Sequence, residues 1–393
     1  MRIAELCTRF PPGPGGVERH VDALSREFVG LGEQVQVFTS DLLTEFPWER
    51  LPPEVRREET VDGFRVHRLP VWSLPGGAHY TFFRGLPRAL AKAEPEIVHA
   101  HTYGTNQTTA ARTYRRRSGT PYVITAHFHP TWSIHGGWFR HRLRGFYDGL
   151  LAAPTLREAS AIIVQGAEEE RLLRVDHPHL PRVVRIPPGR TPLPPPLPEA
   201  DAFRRHFELP GPFLLFVGRL ASNKGLGPLV EAFGRLARTD PNATLVLAGA
   251  DGGELHRVED QIRRAGLEGR VRIVGYIADE HLLASGLREA RILVLPSEYE
   301  AFGLVLLEAL YQGTAVLASR VGGIPEVLDD GRAGRLVPPL DAAALSAALI
   351  ELWQDPEERQ RLVRYGQEKV LPRYSWPEVA RAVRAVFTEV LGR

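Results

Sequence analysis

The chain has 393 residues, 43% hydrophobic and 24% charged, a length and balance that allow two ordinary cores and exclude a disordered or fibrous polypeptide. Its 49 Lys and Arg nearly cancel 47 Asp and Glu, which gives no general cause for nucleic-acid binding, although residues 1–190 are basic by 5 (25 against 20) and the remainder acidic by 3 (24 against 27). One cysteine, Cys7, excludes an intrachain disulfide framework and a cysteine-based zinc site.

The opening "MRIAELCTRF" turns polar before any signal-length apolar region forms, and no apolar run approaches the roughly 18 residues of a membrane span. The sequence therefore predicts a cytoplasmic protein, soluble or peripheral on the inner face of the membrane. Short β-branched runs follow at 2–7, 34–39, 64–69, 96–101, 122–127, 161–165 and 182–186, alternating with helical stretches. Between the first two lies "PPGPGGVERHVDAL" (11–24). Gly15 and Gly16 allow close backbone approach there, and a helix starting near Gly16 aims free N–H groups at an anion or a sugar hydroxyl. A plain structural turn fits the loop equally well. A dinucleotide-binding turn fits poorly, because "TRFPPGP" intervenes and the third glycine position is Glu18.

The segment 186–200, "IPPGRTPLPPPLPEA", holds seven prolines and can neither continue a helix nor join a central strand. The predicted organisation is a first domain over 1–190, a linker over 191–200, a second domain over 201–374 and a terminal helix over 375–393 that returns to the first domain. Strands are expected in the second half at 213–218, 243–249, 270–275, 291–296 and 314–319, so the fold class is α/β with two doubly wound parallel sheets. After the strand at 213 comes "VGRLASNKGL", whose Arg219 and Lys224 have the spacing to converge on one phosphate, and Lys224 is one of only three lysines beside 46 arginines. After the strand at 291 comes "EAFGLVLLE" (300–308). Glu300 precedes a helix expected from about Gly303, and Glu308 falls in its second turn, where both carboxylates can accept from vicinal hydroxyls. The plain alternative is a capped surface helix. In the terminal helix Ser375 is the expected N-cap, with Val379, Val383, Val386 and Val390 along one face.

Together "GPGGVERHV", "VHAHTY", "VITAHFH", "VGRLASNKG", "LVLPSEYEAFGLVLLEALYQGTAVLAS" and "VGGIPEVLDDGRAGRLV" give the chain a resemblance, over nearly its whole length, to the retaining glycosyltransferases of family four. Their GT-B fold has two Rossmann-like domains facing a central cleft. The resemblance implies that Arg219 and Lys224 bind the diphosphate of a nucleotide-sugar donor and that Glu308 holds its ribose. It implies further that Glu300 faces the donor sugar, with the N–H groups of Phe302, Gly303 and Leu304 nearby. Gly15 and Gly16 would approach the diphosphate from the first domain, and the nucleobase would lie against the backbone ending at Ile277. His127 would stand near the reaction centre, giving a catalytic set of His127, Arg219, Lys224 and Glu300. His20, Tyr103 and His129 are acceptor-side candidates. The family needs no metal or other cofactor, and the spacing of His127, His129 and His135 fits no standard zinc pattern. The family's Pro-Asn-Gly-Val/Ile-Asp stretch is replaced by "PPGRT" (187–191), which removes the usual side chains from that position.

Residues 112–144 carry Arg112, Arg115, Arg116, Arg117, Arg140, Arg142 and Arg144 without an acidic residue, interleaved with Tyr114, Tyr122, Trp132, Trp138 and Phe139, and 136–151 reads as an amphipathic helix. An anionic membrane surface presenting a lipid-linked acceptor is one reading, an anionic acceptor pocket a second, and a solvated arginine face a third. The expected protein is a monomer or homodimer that moves a hexosyl group, with retention, onto a hydroxyl acceptor such as a lipid-linked or envelope glycan. The competing readings are a sugar-nucleotide epimerase or hydrolase, and a sugar-nucleotide-binding protein without turnover.

Overall fold

The computed structural model describes residues 1–13, 16–44, 49–73, 81–128, 151–300 and 302–393. Gly15, His129 and the aromatic, basic stretch from Trp132 to Arg144 lie outside these residues, as does all but the last residue of the helix read over 136–151. The chain divides into two compact units, Met1–Gly189 with Tyr374–Arg393, and Arg190–Arg373. The boundary falls inside the proline-rich segment.

In the first unit, strands β1 (Arg2–Leu6), β2 (Gln34–Ser40), β3 (Glu58–Val61), β4 (Phe64–Leu69), β5 (Ile97–His101), β6 (Tyr122–Thr125), β7 (Ala161–Val164) and β8 (Val183–Arg185) form one sheet in the order β8-β7-β6-β5-β1-β2-β4-β3. Every pairing is parallel except that of β3 with β4. The central strands are buried on both faces, which is why they read as apolar runs rather than as alternating ones. Edge strand β3, "EETV", alternates exposed and half-buried residues and carries no apolar run to announce it.

Helix α1 (Gly16–Gly30) buries Val21, Leu24 and Phe28 at helical spacing, and helix α6 (Trp376–Val390) packs onto it with Val379, Val383, Val386 and Phe387. The Phe28 and Phe387 rings stand 5.6 Å apart. The terminal helix thus belongs to the core of the first unit. Ser375 occupies its N-cap position without a side-chain capping bond.

In the second unit, β9 (Phe213–Val217), β10 (Thr244–Ala248), β11 (Val271–Gly275), β12 (Ile292–Leu295), β13 (Ala315–Ser319) and β14 (Arg335–Val337) pair in parallel in the order β11-β10-β9-β12-β13-β14. Helix α4 (Leu226–Thr239) follows β9 and helix α5 (Leu304–Gln312) follows β12. Strand order reverses between β1 and β5 in the first sheet and between β9 and β12 in the second. Open parallel sheets bind ligands at the carboxyl ends of the strands flanking such a switch point, because the loops there diverge and leave a crevice.

Candidate active site

The second unit places its functional side chains at that switch point. The loop after β9 makes a short helical turn, Ser222–Lys224, and Gly225 then starts α4 with φ 64. A Cβ at Gly225 would meet the Pro296 carbonyl oxygen at 2.0 Å, so glycine lets this loop press against the end of β12. The Glu298 N–H donates to the Asn223 carbonyl at 2.9 Å, joining the two loops. Across the join Lys224 Nζ donates to Glu300 Oε2 at 2.6 Å, with both side chains about four-fifths buried. A third loop, after β13, closes on Glu300: the Gly323 N–H donates to its carbonyl at 3.1 Å, and a Cβ at Gly322 (φ 52) would stand 1.9 Å from the same oxygen. The loops after three strands therefore meet at Glu300, one at its carboxylate and one at its backbone carbonyl.

Helix α5 starts at Leu304 with Gly303 as its N-cap, one residue later than the helix start read from the sequence. Gly303 is buried, Phe302 half-buried and Leu304 exposed, and a helix start of this kind presents its first N–H groups outward. Glu308, on the same helix, is half-buried and 3.8 Å from Arg190 Nη2. Arg190 is itself buried and lies over the Tyr311 ring at 5.5 Å, and its Nε and Nη2 have no hydrogen-bond partner. Burial lowers its pKa, opposed by the nearby Glu308 carboxylate. Arg219 is exposed on the β9 loop, where Gly252 leaves room for its stem. Ile277 is half-buried two residues after β11, beside the exposed Tyr276.

The first unit holds a buried imidazole cluster at its own switch point. Period-two alternation puts His99 and His101 on one face of β5, and the register sets Glu5 of β1 beside His99. His101 Nε2 donates to Glu5 Oε2 at 2.7 Å, while His99 Nδ1 donates to Glu5 Oε1 at 3.1 Å and His99 Nε2 meets Thr125 Oγ1 at 2.7 Å. Burial alone would raise the Glu5 carboxyl, but the His99 charge and the hydrogen bonds from both imidazoles hold it at about 2.

His127 follows β6 in a left-handed conformation (φ 41). Its Nε2 is 3.4 Å from His101 Nδ1 and its Nδ1 is 3.1 Å from Gln165 Nε2. Glu169, on helix α3 (Ala167–Asp176, between β7 and β8), accepts from the backbone N–H groups of both Phe128 and Gln165, so one side chain ties the loop that carries His127 to the loop after β7. The His20 ring, on α1, lies edge-on to His127 at 5.2 Å and to Trp376 at 5.2 Å. Burial and the nearby imidazoles press the pKa of His20 down to about 3. Tyr103 Oη meets His177 Nε2 at 2.8 Å, and Gly16 is the first residue of α1.

Within each unit, then, several sequence-selected residues meet: Lys224 with Glu300, and His20 with His127. Arg190, Glu5, His101 and Gln165 join these sites although the sequence motifs assign them no role. The strand "VHAH" carried a signal, since two histidines at i and i+2 inside an apolar strand share a face that must bury or ligate them. Arg190 carried one as well, because it stands at the aliphatic position of the Pro-Asn-Gly-Val/Ile-Asp stretch of the family that the chain resembles. On the basic face, Arg112 and Arg116, both on helix α2 (Asn106–Ser118, between β5 and β6), share Glu158, and Arg115 reaches the Glu158 carbonyl. Much of the charge on the described part of that face is thus internally paired, with Arg117 left exposed.

Two doubly wound parallel sheets, each with polar side chains at its switch point, define a two-unit α/β ligand-binding architecture, and comparison with known proteins gives its family. Residues 199–369 match the family described as glycosyl transferases group 1, and residues 15–189 match the glycosyl transferase 4-like domain. Glycogen synthase of Mycobacterium tuberculosis is 30% identical over 98% of this chain and 94% of its own length. Phosphatidyl-myo-inositol mannosyltransferase of Mycolicibacterium smegmatis is 29% identical over 100% and 95%. The solved structure of sucrose-phosphate synthase from Thermosynechococcus elongatus superposes with a TM-score of 0.75 at 26% identity, covering 100% of this chain and 99% of that one. The chain belongs to the glycosyl transferases group 1 family and is a glycosyltransferase of the GT-B class.

Proposed function

We propose that the protein transfers a hexosyl group from a nucleoside-diphosphate sugar to an acceptor hydroxyl, with retention of anomeric configuration and without a metal cofactor. The observation that carries this reading is the Lys224–Glu300 pair at the β9–β12 switch point, a cation and a carboxylate held side by side by three loops. An ammonium has three N–H donors, and Glu300 takes one, leaving the others for diphosphate oxygens. Arg219 adds a second cation, and the N–H groups at the start of α5 add partial positive charge. Glu300 accepts from donor-sugar hydroxyls and Glu308 from the ribose, with Gly15, Gly16 and Ile277 as further donor contacts. His20, Tyr103, His127 and His129 are the acceptor-side and reaction-centre groups.

In the reaction the bond from the anomeric carbon to the diphosphate oxygen breaks, and the acceptor oxygen bonds that carbon on the same face. The acceptor's proton passes to the departing phosphate. No protein nucleophile is required, and the chief task is to offset charge growing on the diphosphate, a task suited to the cations Arg219 and Lys224.

The relatives named as a glycogen synthase and a lipid mannosyltransferase support hexosyl transfer and leave the acceptor class to experiment. The test is release of nucleoside diphosphate from a panel of donors, with and without cell-envelope lipid extract. Release that depends on an added acceptor supports transfer. Acceptor-independent release points to a hydrolase, and binding without release sinks the enzymatic reading. An anionic membrane surface is retained as a partner through Arg117 and the residues beyond it, and liposome flotation decides it: absence of binding at low salt removes the idea.

A further inference from the structure

We propose that His20, His101 and His127 form a three-imidazole site for one zinc-class divalent cation, and that its occupancy inhibits the enzyme. One nitrogen from each of the three rings lies within 4.8 Å of the others. The His101 Nδ1 to His127 Nε2 separation is already 3.4 Å. Two nitrogens bound to a tetrahedral zinc at about 2.0–2.1 Å stand about 3.3–3.4 Å apart, so this edge of the coordination shell exists before any cation arrives. His20, on a different element, offers its nitrogen within 4.8 Å of the other two and completes the face by a ring adjustment. Its Nδ1 is buried with no hydrogen-bond partner, an arrangement that goes uncompensated unless something is bound.

The surroundings match what imidazole ligands require. His101 reaches the cluster with Nδ1 while its Nε2–H donates to Glu5, so a carboxylate fixes the ring and its tautomer, the usual outer arrangement behind a metal-bound histidine. A second group, Glu5 with His99 and His101, is also close enough to ligate. Its nitrogens and oxygens are already consumed by their mutual hydrogen bonds, which makes it the support and not the site. His127 is paired through Nδ1 with the Gln165 amide, and ligation through Nε2 requires the proton on Nδ1. Gln165 accommodates this by turning its amide to present oxygen, and the proton count of the protein is unchanged. His127 is half-buried where the other two rings are buried, so the cluster opens to solvent on its side. Neutral imidazoles select zinc, cobalt, nickel or copper over magnesium or calcium, which prefer oxygen.

Binding stands on the geometry alone, whereas inhibition rests on the transferase reading, in which His20 and His127 serve the acceptor and reaction centre. Chelator-stripped full-length protein is titrated with Co²⁺ and its visible absorption followed. We expect the bands of a nitrogen-ligated tetrahedral site to saturate at one equivalent and to be displaced by Zn²⁺ but not by Mg²⁺. The His20→Ala variant, checked for folding by circular dichroism, should lose more than the roughly 10–100-fold in Co²⁺ affinity that removal of an outer partner costs. Replacing His129, His135 and His141 together by Asn should leave the bands in place. Absence of a saturable band in the wild type, or its survival in His20→Ala, overturns the site. Transfer should fall as Zn²⁺ saturates and recover with chelator, and an unchanged rate at saturation overturns the inhibitory role. A wrong transferase assignment would leave the spectrum intact, so the two failures are distinguishable.

Discussion

Lys224 Nζ stands 2.6 Å from Glu300 Oε2, joining the loop that follows β9 to the loop that follows β12. In a partly buried site such a pair does more than neutralise charge, since each partner sets where the other points. Replacing Glu300 by Gln keeps the shape and removes the charge, and Lys224→Gln does the reverse job on the cation. Each should lower nucleoside-diphosphate release by about 100-fold or more with folding retained. The double variant should fall short of the summed losses by about 0.5–3 kcal/mol, as for residues in direct contact. Additive losses in a double-mutant cycle would show the two acting independently.

Gly322 is the test of the third loop. Alanine there places a methyl group 1.9 Å from the Glu300 carbonyl oxygen at a φ of 52, so the backbone of one loop must move. The strain of the left-handed conformation alone is about 1–2 kcal/mol. Gly322→Ala should lower the melting temperature of the protein and weaken donor binding in the same preparation, whereas Gly253→Ala, also at positive φ but with open space around its Cβ, should lower only stability. Equal donor affinity in the two variants would detach this loop from the site.

The architecture was legible because its signals are local. Twelve apolar runs separated by helical stretches correspond to strands, while the division after Gly189 falls within the proline-rich segment and assigns the residues read as a linker, 191–200, to the second unit. Strands β3 and β14 escaped notice because "EETV" and "RLV" are short and carry little apolar pattern. Lys224 and Glu300 could be chosen singly, as rare or paired residues in loops after strands, but their contact depends on strand order: β9 and β12 are neighbours although two strands and their helices intervene in sequence. The same holds for Glu5 and His99, 94 residues apart and adjacent only through the register of β1 on β5. Arg190 stands where the chain departs from the family's motif, but its burial depends on Tyr311 and Glu308, which lie far from it in sequence.

Acidification should unfold the first unit through its histidines. Burial, reinforced by neighbouring imidazoles, presses His20 to about 3 and His101 to about 4, against an ordinary 6.5. Below 6.5 the unfolded chain therefore binds protons that the folded one does not, and stability falls with pH until the folded values are passed. Glu5 acts in the same direction lower down: its contribution is complete above its ordinary 4.5 and is lost as pH falls toward about 2. Thermal melts of chelator-treated protein should show the midpoint declining between about pH 6.5 and pH 3. His20→Phe should flatten the upper part of that decline, and an unaltered profile in this variant would remove His20 as a cause.

Phe387 tests the dependence of the first unit on the terminal helix. Its ring is fully buried, 5.6 Å from Phe28 and 5.2 Å from His99, and Arg384 on the same helix donates to Glu33. Truncation to alanine should cost about 3–5 kcal/mol, the usual range for a buried phenylalanine. Denaturant melts of Phe387→Ala should show an early loss of the first unit while donor still protects the second from proteolysis. A variant as stable as wild type would mean that the helix is not part of that core.

Arg190 makes the sharpest distinction between a structural and a donor-binding role for Glu308. Its guanidinium is buried, lies over Tyr311, and stops 3.8 Å from the Glu308 carboxylate, a separation at which Coulomb attraction acts without a formed hydrogen bond. Its unpartnered Nε and Nη2 are donors awaiting an acceptor, and a small movement of Glu308 on binding ribose would supply one. Arg190→Met keeps the apolar stem against Tyr311 and removes the charge, so the loss of packing is small. If Glu308 holds the ribose, this variant should raise KM for the nucleotide-sugar with little change in kcat, since the ribose contact is made equally in ground and transition states. If Arg190 and Glu308 only brace the unit, KM should stay unchanged while the melting temperature falls, because the charge attraction between the buried guanidinium and the half-buried carboxylate is lost.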